Sequence, residues 1–218
     1  ETTGTYNAGT RGIFGGGFVG PGASDHRDRI QYINIATLGD AIDAGDLTVS
    51  RYGNGALASA TRAVWAGGVI PAPAIYNTID AVEIMSTGNA FDFGDLPTAA
   101  YYPGGFSNRT RGIYSGGAAP SLQATLSYIT ISSKGNAQDF GDMGDGKNAH
   151  STFSSPTRGV VAGGYIAPAR TNIMEYVTIT TTGNVKDFGD LTQARNYGGG
   201  CGSAIRGLVG GGSTPTSP

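Results

Sequence analysis

Charged residues, and lysine above all, are scarce in this chain of 218 residues. Charged side chains make up 14% of the sequence, and lysine occurs only at Lys134, Lys147 and Lys186. This scarcity excludes long amphipathic helices, because lysine and glutamate are among the residues that build helix surfaces. Glycine supplies 38 residues instead, with Thr, Ser, Tyr, Val and Ile between the glycines. That mixture is typical of short strands joined by tight turns, so the composition predicts an all-β protein.

Clusters of positive charge and long apolar runs are also missing. The net charge is −2 and the basic residues are scattered singly. The sequence therefore predicts neither nucleic-acid binding nor attachment to a membrane. No apolar run approaches the length of a membrane span, and no signal segment stands at the start. Because the chain begins at Glu1 and not at Met, we expect a processed or excised product whose leader or upstream domain has been removed.

Residues that carry catalytic or metal chemistry are few. Cys201 is the single cysteine, which excludes an internal disulfide. His26 and His150 are the only histidines, and they lie in unlike parts of the chain without a motif partner. These observations predict a protein without enzymatic activity, cofactor or metal.

A repeat of about 48 residues organises the chain. An arginine followed by an apolar run and glycine occurs at spacings of 51, 49, 47 and 48 residues, at Arg11, Arg62, Arg111, Arg158 and Arg206. An Asp-x-Gly-Asp block recurs in step and ends at Asp46, Asp95, Asp142 and Asp190. An alternating Ile-x-Ile strand lies between the two blocks, and a run of small residues precedes each arginine. We predict four strands per repeat, in the order small-residue strand, arginine strand, Ile-x-Ile strand and Asp-x-Gly-Asp strand.

A Gly-Asn or Gly-Asp pair separates the last two strands of each repeat, at Gly39-Asp40, Gly88-Asn89, Gly135-Asn136 and Gly183-Asn184. Glycine with Asn or Asp tolerates the positive φ that a tight hairpin turn demands. We therefore expect tight turns at these pairs.

The repeat resembles the kelch family. Gly163-Gly164, the alternating strand from Tyr176 to Ile179, the aromatic Phe188 and then Arg195 fall in the kelch order, although Phe replaces the usual outer-strand Trp. The resemblance implies a kelch-like β-propeller of four-stranded blades, as in the central domain of galactose oxidase. The sequence motif Gly-Asn-x-x-Asp-Phe-Gly-Asp-Leu also resembles motifs in repeat proteins of environmental bacteriophages. That looser resemblance implies a virion or fibre protein.

The repeats do not fill a whole number of blades. Four full repeats and a half repeat predict five blades with the last one incomplete, in one domain over residues 1–212 with an extended tail over 213–218. Glu1 to Thr10 would supply the first inner strand. An incomplete blade leaves an unpaired strand edge. Either a neighbouring subunit or absent sequence completes that blade, or the ring closes with a thin fifth blade.

The arginines and aspartates of the repeat have several possible roles. The five arginines form either a central ring that captures an anion or, as we expect, pairs with repeat aspartates that tie strands or blades together. The aspartates otherwise cap turns, since two carboxylates supply too few oxygens for calcium. The chain has too few His and Cys residues to build the copper site of an oxidase of the galactose oxidase type. Asn108 opens an N-glycosylation sequon, which matters if the chain is secreted.

Ligand-binding residues are expected in the loops that follow each Gly-Gly pair, because these loops differ between repeats. Such variation also arises where surface loops simply tolerate change. The candidates are Phe18, His26, Arg27, Arg29, Tyr76, Tyr165 and Arg170. Tyr and Arg suit contact with a protein or a glycan. We predict a non-enzymatic propeller on a virion or extracellular surface, a rigid scaffold for self-assembly or host-surface recognition, with a carbohydrate-binding, lectin-like propeller as the alternative.

Overall fold

The computed structural model describes residues 9–20, 26–70 and 74–215, and the regular elements in those ranges are β-strands. No helix in those ranges is long and apolar enough to cross a membrane. The all-β prediction is confirmed. The strands pair antiparallel and form five main sheets and one small hairpin. Neighbouring strands in a sheet follow one another in the chain, except in the fourth sheet, where the small hairpin is inserted.

The first sheet contains β1 (Arg11–Phe18), β2 (His26–Asn34) and β3 (Ile42–Asp46). The second contains β4 (Gly55–Ala58), β5 (Arg62–Ala66), β6 (Thr78–Glu83) and β7 (Phe91–Asp95). The third contains β8 (Gly104–Ser107), β9 (Arg111–Ser115), β10 (Thr125–Thr130) and β11 (Gln138–Asp142). The fourth contains β12 (Ser151–Ser154) and β13 (Arg158–Ala162) and, after the small hairpin of β14 (Tyr165–Ile166) and β15 (Ala169–Arg170), β16 (Ile173–Thr178) and β17 (Lys186–Asp190). The fifth contains β18 (Gly199–Gly202) and β19 (Gly207–Gly210).

Strand order within the four-stranded sheets is the predicted one, from the small-residue strand to the Asp-x-Gly-Asp strand. The first sheet shows the last three strands of this pattern. Its predicted inner strand, Glu1 to Thr10, lies outside the described residues except for Gly9 and Thr10. The fifth sheet shows the first two strands. At the predicted start of the tail, Ser213 and Asn196 exchange two backbone hydrogen bonds of 2.8 and 3.1 Å.

Each outer strand contains a β-bulge, and this explains the Asp-x-Gly-Asp motif. In β7, Asp92 lies opposite Asp80 while Gly94 pairs with the residue before Asp80, so Phe93 is the extra residue. The outer strands of the other three sheets share this irregularity. Gly94 has a φ of +151°, which favours glycine. The bulge turns Phe93 and its counterpart Phe140 into the core, where each is 2% exposed.

The Gly-Asn pairs do not form the predicted tight turns. The connection from β6 to β7 covers residues 84–90, and Gly88 takes a positive φ of +144° whereas Asn89 does not. Asn89 Oδ1 instead accepts the amide N–H of Asp46 in the first sheet at 3.1 Å. Gly88 N donates to the carbonyl of Ala44 in the same strand at 2.6 Å. The tight-turn prediction was wrong because this loop reaches across to the preceding sheet.

The small-residue strands of successive sheets lie side by side, with β4 next to β8, β8 next to β12 and β12 next to β18. Their hydroxyl groups donate to one another's carbonyls, Ser107 Oγ to Ala58 O at 2.6 Å and Ser154 Oγ to Ser107 O at 2.7 Å. A Cβ on Gly105 would overlap the backbone of Ala56. Small residues are therefore needed in these strands because the backbones crowd each other.

Three apolar cores lie between consecutive sheets in the described part of the chain. Trp65 and Ile84 belong to the core between the first and second sheets. Phe93 and Ile131 belong to the next core, and Phe140 and Ile179 belong to the core between the third and fourth sheets. These clusters contain apolar residues from both sheets that they join, so the sheets stabilise one another by burial of apolar surface.

The repeat arginines join neighbouring sheets through carbonyl groups and aromatic rings. Arg62 Nη1 donates to the carbonyl of Ile131 in the next sheet at 2.7 Å. Arg11 and Arg111 make the same bond at 2.9 and 3.1 Å, to Ile84 and Ile179. Arg62 does not pair with a repeat aspartate as predicted, because the Asp-x-Gly-Asp strand of its own sheet lies beyond β6. The acidic partner of Arg62 is Glu83, on the adjacent strand β6.

Candidate functional site

An aromatic cavity lies where the chain enters the small-residue strands. It has a volume of about 470 Å³ and is lined by Phe18, Tyr52, Gly53, Tyr102 and Tyr197. Phe18 and Tyr197 are 49% and 41% exposed, so solvent reaches the cavity between them. We call this feature the aromatic cavity.

The rings of the aromatic cavity contact each other in a chain. The ring centroids of Phe18 and Tyr52 are 4.9 Å apart, those of Tyr52 and Tyr102 are 6.4 Å apart, and those of Tyr102 and Tyr197 are 5.4 Å apart. The two tyrosine pairs meet edge to face, with interplanar angles of 64° and 87°. Aromatic rings attract one another in this arrangement. The contacts therefore hold ring faces in fixed positions before any ligand binds.

A chain of backbone hydrogen bonds brings these residues together. Gly53, Tyr102, Ala149 and Tyr197 each lie two residues before a small-residue strand. Tyr102 N donates to Gly53 O at 2.6 Å, Ala149 N to Tyr102 O at 3.1 Å, and Tyr197 N to Ala149 O at 2.7 Å. At each of these positions the backbone N–H thus donates to the carbonyl of the equivalent residue one repeat earlier. The cavity residues come from four different repeats because this chain connects equivalent positions.

The same positions are held in a left-handed backbone conformation. Gly53 has a φ of +64°, and Tyr102, Ala149 and Tyr197 have φ values of +53°, +51° and +56°. For a residue with a Cβ this conformation costs about 1–2 kcal/mol. Non-glycine residues in such conformations cluster at functional sites. Tyr102 and Tyr197 adopt this unfavourable backbone conformation, and their rings line the aromatic cavity.

Among the residues that the structure describes, no charged side chain lines the aromatic cavity. The lining residues with polar side-chain groups are the three tyrosines, each of which has a phenol hydroxyl. The walls therefore offer ring faces and neutral hydrogen-bonding groups. They suit a neutral ligand with flat apolar faces and hydroxyl groups.

A buried ion pair anchors the loop that carries Tyr52. Arg51 and Asp80 are fully buried, and Arg51 Nη1 lies 3.1 Å from Asp80 Oδ2. Thr48 donates its backbone N–H and its hydroxyl to the Asp80 carboxylate at 3.1 and 2.7 Å. Burial lowers the pKa of Arg51, and the charge of Asp80 opposes this change. The pair joins the loop after the first sheet to strand β6.

Lys147 and Glu175 form the equivalent pair between the third and fourth sheets. Lys147 Nζ lies 2.6 Å from Glu175 Oε2. His150 is buried nearby, and its Nε2 is 2.8 Å from Ser115 Oγ. Burial lowers the pKa of His150 to about 3, and the charge of Lys147 adds to this effect. His150 is therefore neutral at ordinary pH and acts as a structural hydrogen-bonding group.

Of the loop residues predicted to bind a ligand, Phe18 lines the aromatic cavity. His26 lies opposite Phe18 in the register of β1 and β2, and Arg27 lies opposite Gly17 and is exposed. Arg29 is exposed and its Nε lies 3.5 Å from Asp43 Oδ2. These residues follow one another along β2.

The other three candidates lie on later loops. Tyr165 and Arg170 are cross-strand partners in the hairpin of β14 and β15. Arg170 donates to Asn196 Oδ1 at 3.0 Å and to Ser213 Oγ at 2.9 Å, so it holds this hairpin against the chain around the fifth sheet. Tyr76 is half-buried, and its N–H donates to the carbonyl of Gly68 at 2.9 Å.

The remaining polar candidates have local roles. Asn108 Oδ1 accepts the amide N–H groups of Thr110 and Arg111 at 2.9 and 2.8 Å, so the sequon asparagine caps a turn. Asp43 and Asp187 each accept an amide N–H from the glycine of their own bulge at 3.0 Å. Across the described ranges, no group of three or more His, Cys, Asp or Glu residues could hold a metal ion.

Tyr52, Tyr102 and Tyr197 were not among the predicted site residues. Alignment of the repeats on their small-residue strands could have found them, because each lies two or three residues before such a strand. Their convergence depends on the left-handed conformations and the hydrogen-bond chain, which the sequence does not show.

The sequence matches no known protein family model and no curated protein. The function of the chain is therefore inferred from the geometry of its own residues.

Proposed function

We propose that this chain is a non-enzymatic binding protein, a kelch-like β-propeller on a virion or other extracellular surface, and that its aromatic cavity binds a neutral carbohydrate. The propeller is the rigid scaffold in this proposal, and the carbohydrate is the host-surface or environmental ligand. The observation that carries the proposal is the cavity lined by four aromatic rings, with no charged side chain among its described residues.

The arrangement of the sheets supports a propeller. Each full sheet is a four-stranded antiparallel meander, as in a propeller blade. The small-residue strands of successive sheets are neighbours, and one backbone hydrogen bond links each sheet to the next from Gly53 to Tyr197. Blades arranged around a common axis would produce both features. In this proposal four full repeats and a half repeat supply five blades.

The composition of the aromatic cavity favours a carbohydrate over other ligands. A sugar ring presents a face of C–H groups that stacks on an aromatic ring and an edge of hydroxyls that can bond to phenols. A nucleic acid strand also stacks on rings, but its binding sites pair stacking with positive charge. The lining residues in the described part of the chain include no Lys or Arg. The cavity therefore fits a neutral oligosaccharide best.

A glycan array followed by titration calorimetry tests the proposal. We expect binding of neutral glycans, and we expect Tyr52→Ala to weaken that binding at least tenfold, since it removes the ring between Phe18 and Tyr102. Tyr165→Ala is the matched control, because Tyr165 is a half-buried loop tyrosine that does not line the cavity. Failure of every neutral glycan to bind, or equal losses in the two variants, would contradict the proposal.

A further inference from the structure

Three contacts recur where the second, third and fourth sheets follow the sheet before them, except that the first sheet has Ala44 in place of the bulge phenylalanine. The first is the bond from a repeat arginine to an isoleucine carbonyl of the next sheet, as in Arg111 and Ile179. The second is the bond from the last aspartate N–H of an outer strand to an asparagine of the next sheet, as in Asp142 and Asn184 at 3.0 Å. The third is the burial of the bulge phenylalanine, as in Phe140. Together they define what a following sheet must supply.

The fourth sheet presents its half of these contacts to solvent. Arg158, Phe188 and Asp190 occupy the equivalent positions. Phe188 is 46% exposed, and Arg158 is exposed with its guanidinium 4.6 Å from the ring centre of Tyr176. Within the described ranges β19 pairs with β18 alone, so no strand covers its outer edge. A groove of about 420 Å³ opens beside these strands.

Charge at one further position specifies what fits along the outer edge of β19. In the second and fourth sheets, the residue four positions before the small-residue strand pairs with the third residue of the Ile-x-Ile strand of that sheet. Arg51 faces Asp80 there, and Lys147 faces Glu175. The intervening members are both uncharged, Ala100 and Ser127. A cation in the loop is thus matched by an acid in the following sheet.

Arg195 is the next member of this series, four residues before β18. Its Nη1 donates to the carbonyl of Gly211 at 2.8 Å, and no described acid lies within ion-pair distance of it. In the register of the other sheets, the missing acid would lie opposite Val209, as Asp80 lies opposite Trp65 and Glu175 opposite Val161. The outer edge of β19 therefore lacks a neighbouring strand with one carboxylate opposite Val209.

We infer that the outer edge of β19 and the exposed face of the fourth sheet form a docking site for a β-hairpin from another protein, whose first strand carries an aspartate or glutamate that pairs with Arg195. Backbone groups of that strand extend the fifth sheet from β19. Its apolar side chains cover Phe188, and a carbonyl of the strand accepts from Arg158. This site is separate from the aromatic cavity and does not depend on carbohydrate binding.

The probe for this site is a labelled peptide with the sequence of residues 173–190, the outer hairpin of the fourth sheet. This peptide contains the acid Glu175, the carbonyl of Ile179 and the amide of Asn184 in the required order. The matched controls are the same peptide with Glu175→Gln and with Glu175→Lys. Fluorescence anisotropy measures binding to the whole chain, and light scattering measures the size of the chain in the same buffer.

We expect the unmodified peptide to bind at least tenfold more tightly than the Glu175→Gln peptide, and the Glu175→Lys peptide to bind most weakly. The preference for Glu over Gln should disappear on an Arg195→Gln variant. The ranking of the three peptides on the unmodified chain tests the inference even if that variant does not fold.

Absence of peptide binding, or equal affinity for the Glu and Gln peptides, would overturn the inference. Oligomers that exclude the peptide would also overturn it and assign the groove to a second copy of this chain. A saccharide titration of the same samples reports separately on the aromatic cavity, so failure of one proposal is not mistaken for failure of the other.

Discussion

The interface between the second and third sheets and the exposed face of the fourth sheet contain the same repeat positions in different surroundings. Phe93 is buried in the first case, and Phe188 is nearly half-exposed in the second. A similar contrast marks the other end of the molecule, where Ile35 is 61% exposed and its counterpart Ile84 is buried. The repeat thus determines which side chains point toward a neighbouring sheet. Burial follows only where a neighbour is present, so equal residues contribute unequally to stability.

The largest effect should come from truncation of the bulge phenylalanine. Phe93→Ala should lower the free energy of unfolding by about 4 kcal/mol, since it leaves a cavity between two sheets. Phe188→Ala removes the same atoms from an exposed position and should cost about 1 kcal/mol or less. Chemical denaturation of the two variants measures the difference. Equal losses would mean that Phe188 is covered in solution.

Removal of Asp80 should have the next largest effect. Asp80→Ala leaves the Arg51 guanidinium buried without its partner and should cost about 3 kcal/mol. Arg29→Ala, at the exposed pair with Asp43, should cost less than about 0.5 kcal/mol.

The third sheet suggests a rescue of the Asp80 variant. Arg51→Ala combined with Asp80→Ser reproduces the natural uncharged pair of Ala100 and Ser127. This double variant should recover at least half of the stability lost in Asp80→Ala, because no charge remains buried. No recovery in urea denaturation would show that the charged pair itself stabilises the interface.

Acid should weaken the contact between the third and fourth sheets through His150. The folded-state pKa of about 3 lies below the ordinary value near 6.5, so the unfolded chain binds more protons between these values. Stability from this group is present above pH 6.5 and is lost as the pH falls. Between pH 7 and pH 5 the loss should be roughly 2 kcal/mol. A His150→Gln variant should lose correspondingly less over that range, and an equal loss would contradict the assignment.

The smallest effect should distinguish two equivalent arginines. Arg62→Ala removes the bond to the Ile131 carbonyl and the pair with Glu83, and it should cost about 1–2 kcal/mol. Arg158→Ala should cost less than about 0.5 kcal/mol, because Arg158 is exposed and its guanidinium stacks on the ring of Tyr176. Thermal unfolding compares them. If the inferred hairpin is added, the cost of Arg158→Ala should rise toward that of Arg62→Ala.

Several features of the fold were predictable from local patterns. The alternation of Ile-x-Ile segments and the run of small residues before each arginine located the strands and their order. Both patterns reflect constraints within one sheet, such as side-chain alternation and backbone crowding. The roles of Asn89 and Arg62 were not predictable in the same way, since their partners belong to a different sheet.

The aromatic cavity illustrates the same limit. Phe18 was predicted from loop variability, but the three tyrosines come from segments classed with the small-residue strands. Their rings meet because equivalent backbone positions hydrogen-bond from sheet to sheet. Contacts of this kind join residues about 45 to 50 positions apart. The sequence pattern within one repeat therefore cannot predict these contacts between repeats.

By itself, the sequence determined the repeat, the all-β class and the order of strands in a sheet, because these depend on side-chain periodicity and backbone freedom over a few residues. Only the tertiary structure decided which equivalent residues are buried, where the charged pairs lie and which rings form the aromatic cavity. Those properties depend on the neighbouring sheet, and the same residue meets a different neighbour at each place in the molecule.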